Sequence, residues 1–144
     1  MRAGLWLTLT LPLLGGCGGS KPEGLGPVGE RLALCGNKPN CVCSFETRPE
    51  FQVAPLKLAL PEQNRFAPVK AVLGRIGEHK LAAEGPNYLH VVFVSRWFRF
   101  KDDLEFLYLP DQQILHLRSA SRVGYGDLGV NRKRTETLRA LLSP

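Results

Sequence analysis

Between Tyr88 and Val123 the chain carries back-to-back segments of strand character, and this block constrains the fold more than any other feature. Tyr88–Phe100 is rich in aromatic and β-branched residues, and Leu104–Leu109 and Ile114–Val123 continue the pattern. In the first segment Leu89, Val91, Phe93 and Trp97 share one face, and His90, Arg96 and Phe98 point the other way. Pro110-Asp111-Gln112-Gln113 separates the last two segments as a hairpin loop. Lys80–Glu84 adds a short strand closed by the Gly85-Pro86-Asn87 turn. The prolines at 49, 55 and 61 leave Phe45–Pro61 extended or looped.

Helical patterns flank the block. Val69, Val72, Leu73 and Ile76 form one apolar stripe, which predicts a helix over Phe66–Ile76 with Pro68 in its first turn and Gly77 after its end. Asn131 reads as the N-cap of a final helix that buries Leu138, Leu141 and Leu142. Strands between helices predict an α+β fold, a small antiparallel sheet of about three to five strands with two main helices packed on it. The 144 residues, 44% of them hydrophobic and 22% charged, suit one globular domain and exclude a disordered or collagenous chain.

Charged residues concentrate late in this block. Asp103 and Glu105 share a strand face and Asp102 takes the opposite one. Arg118 and Arg122 lie with His116 and Ala120, whereas Ser119 and Ser121 point to the other side. Asp127, Asn131, Arg132, Lys133 and Arg134 follow in a Gly-rich loop and helix start. Cations in a first helical turn oppose the partial positive charge already there, so something negative must compensate. One solution is internal, an arginine bound bidentately by Asp102, Asp103 or Asp127. The other is an external phosphate or carboxylate clamped by Arg122 or Arg132.

A metal site of Asp102, Asp103, Glu105 and Asp127 competes poorly with these arginines, so no metal is expected. Ser119, Ser121, His90, His116 and Asp127 supply the residue types of nucleophilic catalysis without the spacing of a triad. No P-loop, dinucleotide fingerprint, HExxH or haem-attachment motif occurs, so no cofactor is expected.

The N-terminus reads as an address. Met1-Arg2 is followed by an uncharged, Leu-rich run from Ala3 to Leu14, too short to cross a bilayer core of ~30 Å. Leu14-Gly15-Gly16-Cys17 then resembles the lipobox of bacterial lipoproteins. That resemblance implies a signal peptide over 1–16, cleavage before Cys17 and lipidation at its thiol and amine. Residues 17–29, with five glycines and two prolines after Cys17, read as a flexible tether, and 30–144 as the domain. Gly18 rather than Asp after the lipidated residue implies the outer membrane, facing the periplasm.

A chain with a net charge of +6 that is exported, its bases interleaved with acids, is expected to meet anionic envelope ligands, not nucleic acid. Nothing in the pattern fixes an oligomeric state. An exported chain also favours disulfides over free thiols. Cys35 and Cys41 flank a turn-forming run and make one possible pair, Cys35 and Cys43 another. Three reduced cysteines, or a zinc site without a fourth ligand, are the remaining options.

The run Cys35-Gly36-Asn37-Lys38-Pro39-Asn40-Cys41-Val42 resembles the opening motif of the domain-of-unknown-function 1499 family. Phe100-Lys101-Asp102-Asp103-Leu104-Glu105-Phe106 and the stretch from Arg118 to Arg134 extend the likeness over about Leu34–Leu142. Gly36 replaces a commoner Pro and Cys43 a commoner Ser. The resemblance implies the domain and its motifs, not a mechanism. The expected function is a lipid-anchored, non-enzymatic envelope domain that binds an anionic ligand or envelope partner. The alternative is a periplasmic enzyme using the Asp/Ser/Arg cluster.

Overall fold

The computed structural model describes residues 19–143, so Cys17 and the expected signal peptide lie outside the described residues. The elements in chain order are β1 (Cys41–Cys43), β2 (Leu56–Lys57), α1 (Ala67–Leu73), β3 (His79–Glu84), β4 (Tyr88–Val94), β5 (Lys101–Leu109), β6 (Ile114–Ser121) and α2 (Val130–Leu142). All the strands join one antiparallel sheet ordered β1-β6-β5-β4-β3, with β2 also paired to β6. The α+β expectation fits, but the sheet has six strands instead of three to five. The additional strands are β1, at the end of the cysteine motif, and β2, within the proline-interrupted region. β1 and β2 are very short and share one edge of β6, pairing with Arg118–Ala120 and Ile114–Leu115.

Alternation along β5 and β6 makes two buried faces. Leu104, Phe106, Leu115 and Leu117 pack with Val69 and Leu73 of α1 and Leu138 of α2. Each such side chain contributes roughly 1.5–3 kcal/mol by leaving water. On the opposite face Leu107 and Leu109 meet Leu32, and Ala120 meets Cys35, Cys41, Cys43 and Phe51. Residues preceding β2 thus cover the face that the helices leave open. Within 19–29, Gly26 N–H donates to Glu105 Oε1 at 2.8 Å. Gly19 approaches Arg122 and Val123 so closely that a Cβ would lie 2.9 Å from Arg122 Cβ.

Three local expectations change. The helix predicted over Phe66–Ile76 is regular only over Ala67–Leu73, and Gly74 caps it. β4 ends at Val94, not Phe100, because Ser95–Phe100 forms the reversal. Ser95 N–H donates to Phe100 O, and Phe100 N–H to Ser95 Oγ. Asp102 and Asp103 therefore lie inside β5, where arginines neutralise them. Trp97 stands in solvent instead of joining Leu89, Val91 and Phe93. Finally, Gly129 with φ 78° caps α2, placing Asn131 inside its first turn. The left-handed φ suits glycine because it has no Cβ to clash.

Candidate functional site

The register that opposes Asp103 to Ala120 and Glu105 to Arg118 carries both acids onto the face away from the helices. Asp103 is buried and accepts two bonds from Arg122, Nε at 2.9 Å and Nη2 at 2.8 Å. His90 Nε2 completes its shell at 2.8 Å, and must carry the proton because a carboxylate only accepts. Burial alone raises the Asp103 pKa. Bonds from His90 and Arg122 and their charges outweigh it and hold the carboxyl below its usual range. Glu105, also buried, accepts from Arg118 Nη1 at 3.1 Å, Tyr88 OH at 2.8 Å and the Gly26 amide. Burial and then the bond to Glu105 push the Tyr88 phenol far up, so it stays a donor.

The helix-side face carries a second network centred on Asn131. Its Oδ1 accepts from Ser119 Oγ at 2.5 Å and Arg134 Nη1 at 2.7 Å. Its Nδ2 faces Ser121 Oγ, Asp127 Oδ2 and Asn40 O at 2.7–3.0 Å. Arg134 also reaches Asp102 at 2.7 Å and lies over the Phe93 ring. Asp127 accepts the Gly129 and Asn131 amides, so an acid offsets the positive end of α2. Arg132 turns to the carbonyls of Gln52 and Glu50.

Three of the late arginines are thus held in internal pairs. Arg122 belongs to Asp103, Arg118 to Glu105 and Arg134 to Asp102. Ser119 and Ser121 bond Asn131, and neither meets a histidine among the described residues. No three His, Cys, Asp or Glu groups among the described residues converge as metal ligands.

Cys35 and Cys41 form a disulfide, and Cys43 is free and buried. Burial pushes the Cys43 thiol up, which disfavours the reactive thiolate. Glu46 and Arg48 hold the disulfide loop. Glu46 Oε1 accepts the Cys35 amide at 2.9 Å and Arg48 donates to Cys35 O at 2.7 Å. Bonds from Arg48 draw the Glu46 carboxyl down to about 2. Ser44 Oγ accepts the Leu117 amide and lies within hydrogen-bond reach of His116 Nδ1 at 2.9 Å. Burial, aided by the Arg31 charge, lowers the His116 pKa and favours the neutral ring that can accept this bond.

A cleft of about 610 Å³ opens between the α1–β3 connection, the end of β4 and the first half of α2. Ile76, Phe93, Val94 and Val130 supply apolar wall, and the Arg134–Asp102 pair lies among its lining. Arg75, Arg96 and Lys133 line it too, and none has a carboxylate partner among the described residues; Glu78, also in the lining, pairs with Arg99 at 3.4 Å. Arg75 and Arg96 carry no local sequence signal. Three unrelated elements bring them together, which only the assembled sheet and helices can do.

Matching against known families places residues 31–142 in one described as "Protein of unknown function (DUF1499)". No curated protein and no solved structure matches the chain. The matched region contains both acid–arginine faces, the Asn131 network and the cleft; of the groups described above, the Gly26 amide lies outside it. The chain belongs to the DUF1499 family.

Proposed function

We propose that this is a lipid-anchored protein of the bacterial cell envelope, held at Cys17 to the periplasmic face of the outer membrane. Its domain binds an anionic ligand and is not a catalyst. The observation that carries the binding reading is the cleft, where Arg75, Arg96 and Lys133 stand unpaired beside an apolar wall. The acids of the lining, Glu78 and Asp102, pair with Arg99 and Arg134, which leaves the three cations for an external anion, and apolar wall adds affinity for a ligand with a hydrocarbon part. The site moves from Arg122 and Arg132, suggested by sequence, because Asp103 and backbone carbonyls already occupy those guanidinium groups. The non-enzymatic reading is supported by serines bonded to Asn131 and a buried, pKa-raised Cys43.

The binding test is thermal denaturation of the purified protein with inorganic phosphate and with a short-chain phosphatidic acid. Both should raise Tm in a salt-sensitive manner, the lipid more strongly, and Arg96→Glu or Lys133→Glu should abolish the rise. Equal melting with and without either probe overturns the binding reading. For the anchor, Cys17→Ser should move the protein from the membrane to the soluble fraction, and unchanged membrane retention overturns it.

A further inference from the structure

We propose that the Ser95–Phe100 turn is a membrane-docking element that seats this end of the domain on an anionic phospholipid surface. Trp97 is 83% exposed, Phe98 73% and Phe100 44%, and the two phenylalanine rings stack at 5.4 Å. Three large aromatics in one six-residue turn are far more than solvent contact explains. Arg96, Arg99 and Lys101 alternate with them, and no acid interrupts Ser95–Lys101, though Arg99 also makes an exposed 3.4 Å pair with Glu78. Arg96 lies over the Trp97 ring. Aromatic rings sit at the headgroup level of a bilayer, and interleaved cations meet anionic headgroups there.

The fold puts this turn where a membrane would be. Antiparallel pairing of Asp102 with Ser121 places the start of β5 and the end of β6 at one end of the sheet. Arg122 N–H donates to Lys101 O at 3.0 Å, linking the residue after β6 to the one after Phe100. Gly19 packs on Arg122 and Val123 at this same end. Cys17 is two residues earlier in the sequence, and two residues of chain span at most about 7 Å. An anchor there brings the bilayer to the aromatic end. Tyr125 and Leu128 are also exposed, in the loop after Arg122. Ser95 and Arg96, which belong to the turn, also line the cleft, so docking turns this part of the cleft toward the lipid. The orientation rests on the anchored reading under Proposed function, whereas the chemistry of the turn does not.

The sequence contains two tryptophans, Trp6 and Trp97, so Trp6→Phe in the full chain leaves Trp97 as the only one. That protein, reconstituted in vesicles of phosphatidylethanolamine and phosphatidylglycerol, should show blue-shifted emission and severalfold quenching by lipids brominated on their acyl chains. Phe98→Ser with Phe100→Ser should remove most of the quenching while leaving Tm and vesicle retention unchanged. Water-like, unquenched emission from a chain that remains on the vesicles overturns docking and leaves the anchor standing. A blue shift that grows with protein concentration without lipid also overturns it, in favour of a second copy as the occupant. The mass of the N-terminal peptide reports the anchor separately. Quenching of an added Cys17→Ser, Trp6→Phe chain supports docking whether or not Cys17 is lipidated.

Discussion

Replacing Asp103 by Asn tests the claim that the late arginines are internal structure. The substitution keeps the shape and removes the charge that faces Arg122 and His90. Asp103 is 1% exposed and the Arg122 side chain 9%, so water cannot replace the carboxylate freely. Breaking a buried pair from one side costs about 3–5 kcal/mol. The slight exposure of Arg122 argues for the lower limit, about 3 kcal/mol, or a fall in Tm of roughly 10–12 °C for a domain of this size. The assay is circular-dichroism melting at neutral pH, with Arg122→Met and the double variant completing a cycle. The double variant should recover part of the loss, since it leaves no guanidinium unpaired. Phosphate should stabilise Asp103→Asn through the released Arg122 more than it stabilises wild type. A variant within about 0.5 kcal/mol of wild type would refute the buried-pair argument.

Two further outcomes follow from the disulfide corner. The Glu46 carboxyl is lowered from 4.5 to about 2 in the folded state. Its contribution is therefore complete above its unfolded pKa and is lost as pH falls from about 4.5 to about 2. Acid melting of Glu46→Gln should be flatter than wild type across that window, and parallel curves would contradict the pairing. Native protein with Cys17 blocked should resist a thiol alkylator. Denaturation alone should expose Cys43 only, and reduction should add Cys35 and Cys41. Labelling of two further thiols without reduction would overturn the disulfide.

Particular residues show how far local pattern reaches. A strand's period of two dictates, whatever the register, that Asp103 and Glu105 share a face opposite Asp102, and that Ser119 and Ser121 lie opposite Arg118 and Arg122. Leu138, Val69 and Leu73 declare inward helix faces by the same logic with a period of 3.6. The end of β4 was not legible in this way. Aromatic content continues through Phe100, and the chain reverses at Ser95 because β5 can take in Asp102 and Asp103 once arginines neutralise them. β1 and β2 were hidden because strands of three and two residues exist only by pairing with β6.

What the sequence determined by itself was the α+β class, the domain family, the parity of the charged strands and the need for an anion near α2. Those properties depend on spacing, composition and motif, which are local. Only the tertiary structure decided which acid met which arginine, which cysteines paired, and that Arg75, Arg96 and Lys133 would be left without acids. Those outcomes depend on register and on elements distant in the chain. A charge has no preferred partner until folding brings one within hydrogen-bond reach and removes the water between them.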